Sequence, residues 1–302
     1  MSDDALNNQN QIIVGVDSDT GILTDVLLGS TADYQWRGSI SVITERTFDA
    51  NLEFDHSKAK KQHEELVDLF EGNGVRCHFL GSQPELPYCV FARDASFMTP
   101  FGPVISLMMN PVRRGDYVVA LEFYRNAGFP IWKMVSAGHC EGGDVAIIEP
   151  GSVIIGYGGL RSDEAGATQV VRWFEEEGWE GMAVPFASHL IHLDLTFAMV
   201  APKLAVMCIE AHQPQFVDWL RSRRVELITI SYGEAMNCGC NLFSLGNDRV
   251  LSTSQNQSVN ERLRSFGLTV LEPDLSMFTL GGGGPHCLTQ ALRREPEQEN
   301  AG

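Results

Sequence analysis

Four stretches of the chain follow one plan, and that repetition limits the fold more than any other feature. They are "VISLMMNPVRRGDYVVALEFYRNAGFPIWKM" from Val104, "VIIGYGGLRSDEAGATQVVRWFEEEGWEGMAV" from Val153, "LAVMCIEAHQPQFVDWLRSRRVELITI" from Leu204 and "VLSTSQNQSVNERLRSFGLTVLEP" from Val250. Each reads as an apolar strand, a polar break, an amphipathic helix and a second strand. The helices carry apolar residues at i, i+3, i+4 and i+7 spacing, as at Val170, Val171 and Phe174. A further short strand precedes each copy ("CVFARDASFM", "GDVAIIE", "LDLTFAMV", "CNLFSLG"), so the unit is ββαβ. The copies start 46 to 51 residues apart, a repeat period. The N-terminal part fits a degenerate fifth copy: "TDVLLGS", a long loop, the helix "HSKAKKQHEELVDLFEGNG", then "VRCHFL". Five such units close into a ring, a five-bladed α/β propeller with helices outside. A doubly wound sheet is disfavoured because no Gly-rich phosphate loop follows the first strand. The expected organisation is a tail and lead-in over residues 1–22, one catalytic domain over 23–295 and a tail over 296–302.

The same period selects five polar residues that a buried strand should not want. Asp94, Glu141, His192, Asn241 and Cys287 stand at the starts of the first strands, separated by 47, 51, 49 and 46 residues. Equivalent positions in a ring of repeats converge on its axis. Two acids, a histidine, an amide and a thiol therefore face one pocket, and buried charge is costly unless it is paired or used. The run "LGGGGPHCLTQ" fits this placement, since glycine lets the backbone approach a ligand closely beside Cys287.

Composition narrows the partners. There are 22 basic and 39 acidic residues, a formal charge of −17, which opposes nucleic acid and allows a small cationic substrate. The alternative is an ordinary acidic soluble enzyme. No apolar run reaches the roughly 20 residues that span a bilayer, and "MSDDALNNQNQ" is no secretory signal. Seven cysteines without framework spacing indicate free thiols in a reducing cytosol. A homo-oligomer stays open.

Each candidate has a plainer alternative. Cys287 is a core thiol or, beside His286 and a Gly-rich approach, a nucleophile. His192 is a core histidine, a metal ligand with His189 and Asp194, or a catalytic base; "CGC" at Cys238 to Cys240 is too tight for ordinary zinc spacing. Glu141 and Asp144 are a solvated turn or site acids. Asp94 is an outward partner of Arg93 or, if strand alternation separates the two, an inward acid. Arg113 and Arg161 are surface arginines at helix starts or a clamp for a substrate carboxylate.

Together these residues resemble the guanidino-group-modifying, or pentein, superfamily, which includes arginine deiminase, dimethylarginine dimethylaminohydrolase, agmatine deiminase, arginine dihydrolase and amidinotransferases. "LPYCVFARDASF", "EGGD", "HLDLTF" and "GGGGPHCLTQ" carry the resemblance, which runs from about Leu23 to Glu295. It implies that Cys287 attacks the guanidinium carbon, that His192 is general acid and base, and that Glu141 orients it. Asp94 and Asp194 would grip the guanidinium, with Arg161, Arg113, Phe91 and Asn241 completing the substrate site. It implies no metal and no organic cofactor. The sequence departs from the pattern at Tyr88, where relatives that bind an α-amino acid carry Asn or Asp, and at Ser162-Asp163, where dimethylarginine hydrolases carry Thr-Asn. The expected activity is hydrolysis of arginine or an N-methylated arginine to a citrulline-like product. The alternatives are amidino transfer to an amine, an arginine dihydrolase, against which Asp94 counts, and a catalytically dead binding ring. A lid is expected within Asp33 to Ile40.

Overall fold

The sheets fall into five sets of three strands in a computed structural model that describes residues 15–296. Strands β1 (Ile22–Leu28) and β2 (Arg76–Phe79) begin the first blade. The second holds β3 (Ser96–Thr99), β4 (Gly102–Ile105) and β5 (Lys133–Met134). The third holds β6 (Val145–Glu149), β7 (Ser152–Tyr157) and β8 (Glu180–Pro185). In the fourth are β9 (Phe197–Ala201), β10 (Leu204–Met207) and β11 (Glu226–Thr229). In the fifth are β12 (Phe243–Gly246), β13 (Arg249–Leu251) and β14 (Thr269–Leu271). The last strand, β15 (Thr289–Glu295), returns to the first blade and pairs antiparallel with β1.

The second to fifth blades repeat one connection. An antiparallel hairpin is followed by a helix and a strand parallel to the middle one, as right-handed βαβ logic requires. The hairpin between β12 and β13 turns through Asn247 and Asp248, both with positive φ, the pair of angles that a two-residue hairpin turn needs. The helix Glu164–Glu176 begins at Asp163, whose side chain accepts from the Gly166 N–H at 2.9 Å. It buries Ala167, Val170, Val171 and Phe174, one helical stripe, against its sheet.

Burial orders the strands radially. All residues of β3, β9 and β12 are buried, whereas β2, β11 and β14 are largely exposed or half-buried. First strands therefore line the axis and third strands face outward: the chain is a five-bladed α/β propeller. The N-terminal copy is degenerate because its axial strand is supplied by the C-terminus. The helix Val42–Asp49 occupies the long loop of this copy, where the repeat pattern gives no element. Of the expected tails, residues 1–14 and 297–302 lie outside the described residues. The lead-in from Gly15 is packed: its N–H donates to the Leu292 carbonyl at 3.0 Å, its carbonyl accepts from Arg294, and Val16 is in the core.

Ring closure makes β15 energetically critical. Leu292 is fully buried on it. Leu292→Ala is expected to lower the unfolding free energy by ~2–5 kcal/mol through lost burial and a residual cavity. Urea titration checks this, and a change below ~1 kcal/mol would mean that the closing strand is not part of the cooperative core.

Candidate active site

The five periodic residues all sit in the turns entering the axial strands, two to five residues before the strands begin. They were expected on the strands themselves. Asp94 precedes β3, Glu141 opens the 3-10 turn Gly142–Asp144, and His192 opens the turn Leu193–Leu195. Asn241 precedes β12, and Cys287 lies in the single helical turn Pro285–Leu288. The difference is physical: a strand would alternate its side chains between faces, whereas a turn can send them along the axis. It also separates Arg93 from Asp94 without alternation, since Arg93 donates Nε to the Gly142 carbonyl at 2.9 Å and Nη2 to Val145 at 2.6 Å.

Glycine makes the convergence possible. A Cβ on Gly142 would lie 2.0 Å from the Arg93 carbonyl oxygen, and one on Gly143 would lie 2.7 Å from the His192 ring. The "GG" of "EGGD" thus lets the third blade's turn press against the second and fourth.

One half of the site is a buried charge cluster. Arg113 Nη1 is paired with Asp94 Oδ2, and its Nε with Asp116 Oδ2 at 2.8 Å. His192 lies between two acids, Nε2 at 2.9 Å from Glu141 Oε2 and Nδ1 at 3.7 Å from Asp94 Oδ1. Arg161 reaches the same Glu141 oxygen at 3.4 Å and donates Nη2 to the Ile40 carbonyl at 3.0 Å. Burial lowers the His192 pKa, but the Asp94 and Asp144 carboxylates and the Glu141 hydrogen bond outweigh it and raise it to about 9. Burial raises the Asp94 carboxyl, yet the His192 and Arg113 charges hold it below the usual range. Burial pushes Asp144 up to about 7, against the pull of His192 and its bonds to Ser162 and the Leu193 N–H.

The other half surrounds the thiol. Asn241 Nδ2 lies 3.1 Å from Cys287 Sγ, while its Oδ1 accepts from the His286 and Cys287 N–H groups at 3.0 and 3.2 Å. Asp194 Oδ2 lies 3.5 Å from Sγ and 2.8 Å from His286 Nδ1. Burial pushes the thiol well above its usual pKa, and the Asp194 and Asp94 carboxylates push it further. Phe91 packs at the glycine loop, where a Cβ on Gly283 would meet its ring at 2.5 Å.

Most of the expected residues are thus brought together, with three differences of detail. Arg113 has its nitrogens on Asp94, Asp116 and the Tyr88 and Phe91 carbonyls, so no fork is left for a substrate carboxylate in this structure. Asn241 touches the thiol and its turn. His189, the alternative metal partner of His192, is exposed and bonded to Tyr232. Asp94, Glu141 and His192 do offer ligand atoms within 4.8 Å of one another, but Arg113 and Arg161 already pair with that set. Sequence reasoning missed the Asp194–His286 pair and Asp116. Asp194 and His286 were each named from the sequence, and only their pairing was missed; its signal is an offset, Asp194 two residues past His192 and His286 one before Cys287.

A family model described as N,N dimethylarginine dimethylhydrolase, eukaryotic, matches residues 39–294. The chain belongs to this family. It is therefore a member of the guanidino-group-modifying superfamily, a hydrolase of guanidine carbon–nitrogen bonds. A Bacillus subtilis protein, the uncharacterized YkgA, is 31% identical over 238 residues, 78% of this chain and 80% of its own length. The arginine deiminase of Listeria welshimeri is 26% identical over 258 residues, and the match spans 62% of that enzyme. Among solved structures, the substrate-bound N-terminal domain of ArgZ, a cyanobacterial arginine dihydrolase, aligns with a TM-score of 0.79 at 19% identity, covering 89% of this chain and 98% of that one. DDAH from Pseudomonas aeruginosa complexed with citrulline aligns at 0.74 and 19%, covering 89% and 99%. At these identities they establish the shared fold. Among the described residues no helix is long and apolar enough to cross a membrane.

The glycine contacts in this dimethylhydrolase-family site are testable. Gly143 has no positive φ, so alanine is allowed by its backbone and opposed most closely by His192 and Asp94. Gly143→Ala should fold yet lose at least about tenfold in kcat/KM, roughly 1.4 kcal/mol of transition-state stabilisation. Circular dichroism with steady-state kinetics checks it; unchanged kinetics would show that His192 tolerates displacement.

Proposed function

We propose that the enzyme hydrolyses a guanidino compound of the arginine or N-methylarginine type through a covalent amidino-thioether on Cys287. The observation that carries this reading is Asp94 Oδ1, a buried carboxylate oxygen with no hydrogen-bond partner, 3.7 Å from the His192 ring. An unmet buried acceptor costs about 1–3 kcal/mol, which an N–H of a bound cation would return. A guanidinium held by Asp94 and Asp194 places its carbon against the thiol, and charge-assisted bonds to carboxylates fix its plane.

The cation also offsets the carboxylates that keep Cys287 protonated, so the thiol releases its proton to solvent as substrate docks. The thiolate forms the S–C bond. The His192 imidazolium gives its proton to the departing nitrogen, and ammonia or an alkylamine leaves. Neutral His192 then takes a proton from water as the oxygen adds to carbon. The C–S bond breaks as the added hydroxyl releases its remaining proton to solvent, and an ureido product and the thiolate remain. Asn241 would stabilise the thiolate through its Nδ2–H, Glu141 would hold the imidazole, and Phe91 would wall the pocket. Arg113 would support Asp94, and Arg161 would bridge Glu141 to the segment expected as a lid, through Ile40. One domain spanning the propeller would carry the whole reaction.

Screening guanidino compounds for release of ammonia, alkylamine or urea, with and without glycine or ornithine as acceptor, tests the reading. Acceptor-dependent products would mean amidino transfer, and ornithine with two ammonia would mean a dihydrolase. Cys287→Ala should abolish turnover, and a haloacetamidine should label Cys287 in the native protein; labelling at Cys140 or Cys240 instead would overturn the nucleophile. Asp94→Asn replaces an acceptor oxygen with a donor facing substrate N–H groups. It should cost at least about a hundredfold in kcat/KM, roughly 2.7 kcal/mol.

The pH profile follows from His192. Its folded pKa is raised from 6.5 to about 9, so the proton it donates is present at neutral pH and lost through about 9. The linked stability is full below 6.5 and disappears over the same window. An alkaline limb of kcat/KM near 9 is expected, moving to lower pH in Asp94→Asn because the foremost charge raising His192 is gone. A limb unmoved by that change would exclude His192 as its source.

A further inference from the structure

A second buried imidazole stands beside the nucleophile and takes no part in the reaction as proposed. His286 precedes Cys287 directly, and its Nδ1 lies 2.8 Å from Asp194 Oδ2. A carboxylate only accepts, so Nδ1 carries the hydrogen and donates it. The same oxygen lies 3.5 Å from Cys287 Sγ, so a single carboxylate oxygen takes both the imidazole N–H and the thiol S–H. Two other acids of the site are held by arginines, Asp94 by Arg113 and Glu141 by Arg161, and Asp144 is held by Ser162 and the Leu193 N–H. Among the described residues the ion-pair partner shown for Asp194 is His286.

The donor is itself fixed in place. The His286 N–H bonds Asn241 Oδ1 at 3.0 Å, Pro285 restricts the backbone before it, and the ring lies 6.0 Å from that of Phe243. The cavity that His286 and Asp194 line has a volume of about 10 Å³, room for about one water. A carboxylate without its donor there would be free to rotate toward a solvent molecule and away from the thiol.

We propose that His286 is a positioning residue that locks Asp194 with Oδ2 toward the Cys287 thiol and Oδ1 toward the guanidinium. The inference rests on the guanidine-hydrolase reading. A histidine kept only for packing would be replaceable by any ring of similar size, whereas this role requires an N–H at the Nδ1 position.

Three variants of the full chain separate the two. His286→Asn keeps an N–H near the place of Nδ1, His286→Phe keeps the ring without a donor, and His286→Gln carries its N–H one bond too far. The readouts are kcat and KM for the substrate found by screening, and the pH dependence of Cys287 alkylation by iodoacetamide and by 2-chloroacetamidine. The Phe and Gln variants should lose about thirtyfold or more in kcat. Their alkylation midpoint should fall by about one pH unit, because a carboxylate rotated away from the sulfur opposes the thiolate less strongly. Their preference for the cationic amidine over the neutral reagent should fall as well. The Asn variant should stay within about threefold of wild type in kcat. Folded Phe or Gln protein with a wild-type profile overturns the proposal, as does an Asn variant as damaged as they are. If the Phe variant does not fold, the Asn and Gln pair decides. If wild-type protein is alkylated at Cys287 but turns over no guanidine, the functional reading fails while the alkylation comparison still settles the role of His286.

Discussion

The Arg113 guanidinium lies inside the protein with its nitrogens bonded to Asp94, Asp116 and the carbonyls of Tyr88 and Phe91. Around it, Asp94, Glu141, Asp144 and His192 are all buried as well. Taking such groups out of water is unfavourable unless every charge has a partner, and removing one partner of a buried pair typically costs 3–5 kcal/mol. The axis of the propeller is therefore an interdependent set. Arg113 compensates Asp94, Arg161 compensates Glu141, and His192 answers to both acids. The set also binds blades together, since Asp94 enters from the second, Glu141 from the third and His192 from the fourth. Charge that destabilises any single blade holds neighbouring blades in register.

This arrangement depends on backbone approach distances that only glycine permits. Gly142 and Gly143 bring the third blade's turn against Arg93 and the His192 ring, and Gly283 and Gly284 bring the nucleophile turn against Phe91 and Asn241. The four glycines ahead of Pro285 are thus neither a linker nor a flexible hinge. Gly281 and Gly282 press against Tyr34, Trp36, Ser41 and Thr44, whereas the neighbours of Gly283 and Gly284 are side chains of the site itself, and a methyl group at either of the last two would displace one of them.

The repeat period made both the propeller and the five convergent residues legible, because a ring maps equal spacing onto equal position. Three features were not legible. The closure of the first blade by β15 pairs residues about 270 apart, and no local pattern encodes such a pairing. The turn placement of the site residues differs from strand placement by a few positions, which is less than element boundaries can be read to from sequence. The partners of the arginines were hidden for a third reason. A polar-break arginine looks the same whether it points to solvent, to a substrate carboxylate or back to a buried aspartate. Only the fold shows Arg113 turned inward to Asp94, which makes it a support for an acid and not a free clamp.

On the proposed function, one set of carboxylates has two effects on the nucleophile. Burial, Asp194 and Asp94 all raise the Cys287 pKa, which favours the protonated thiol over the thiolate. A guanidinium bound between those acids brings the positive charge that cancels their influence, and the nearby Asn241 Nδ2–H, at 3.1 Å, is then placed to stabilise the thiolate. Reactivity follows occupancy. The same electrostatics select the substrate: a neutral ureido compound can offer an N–H to the unpaired Asp94 oxygen but brings no charge to offset the carboxylates around the thiol. An ureido product therefore loses the charge assistance that held the cation, and hydrolysis of the guanidine itself weakens the grip that precedes release.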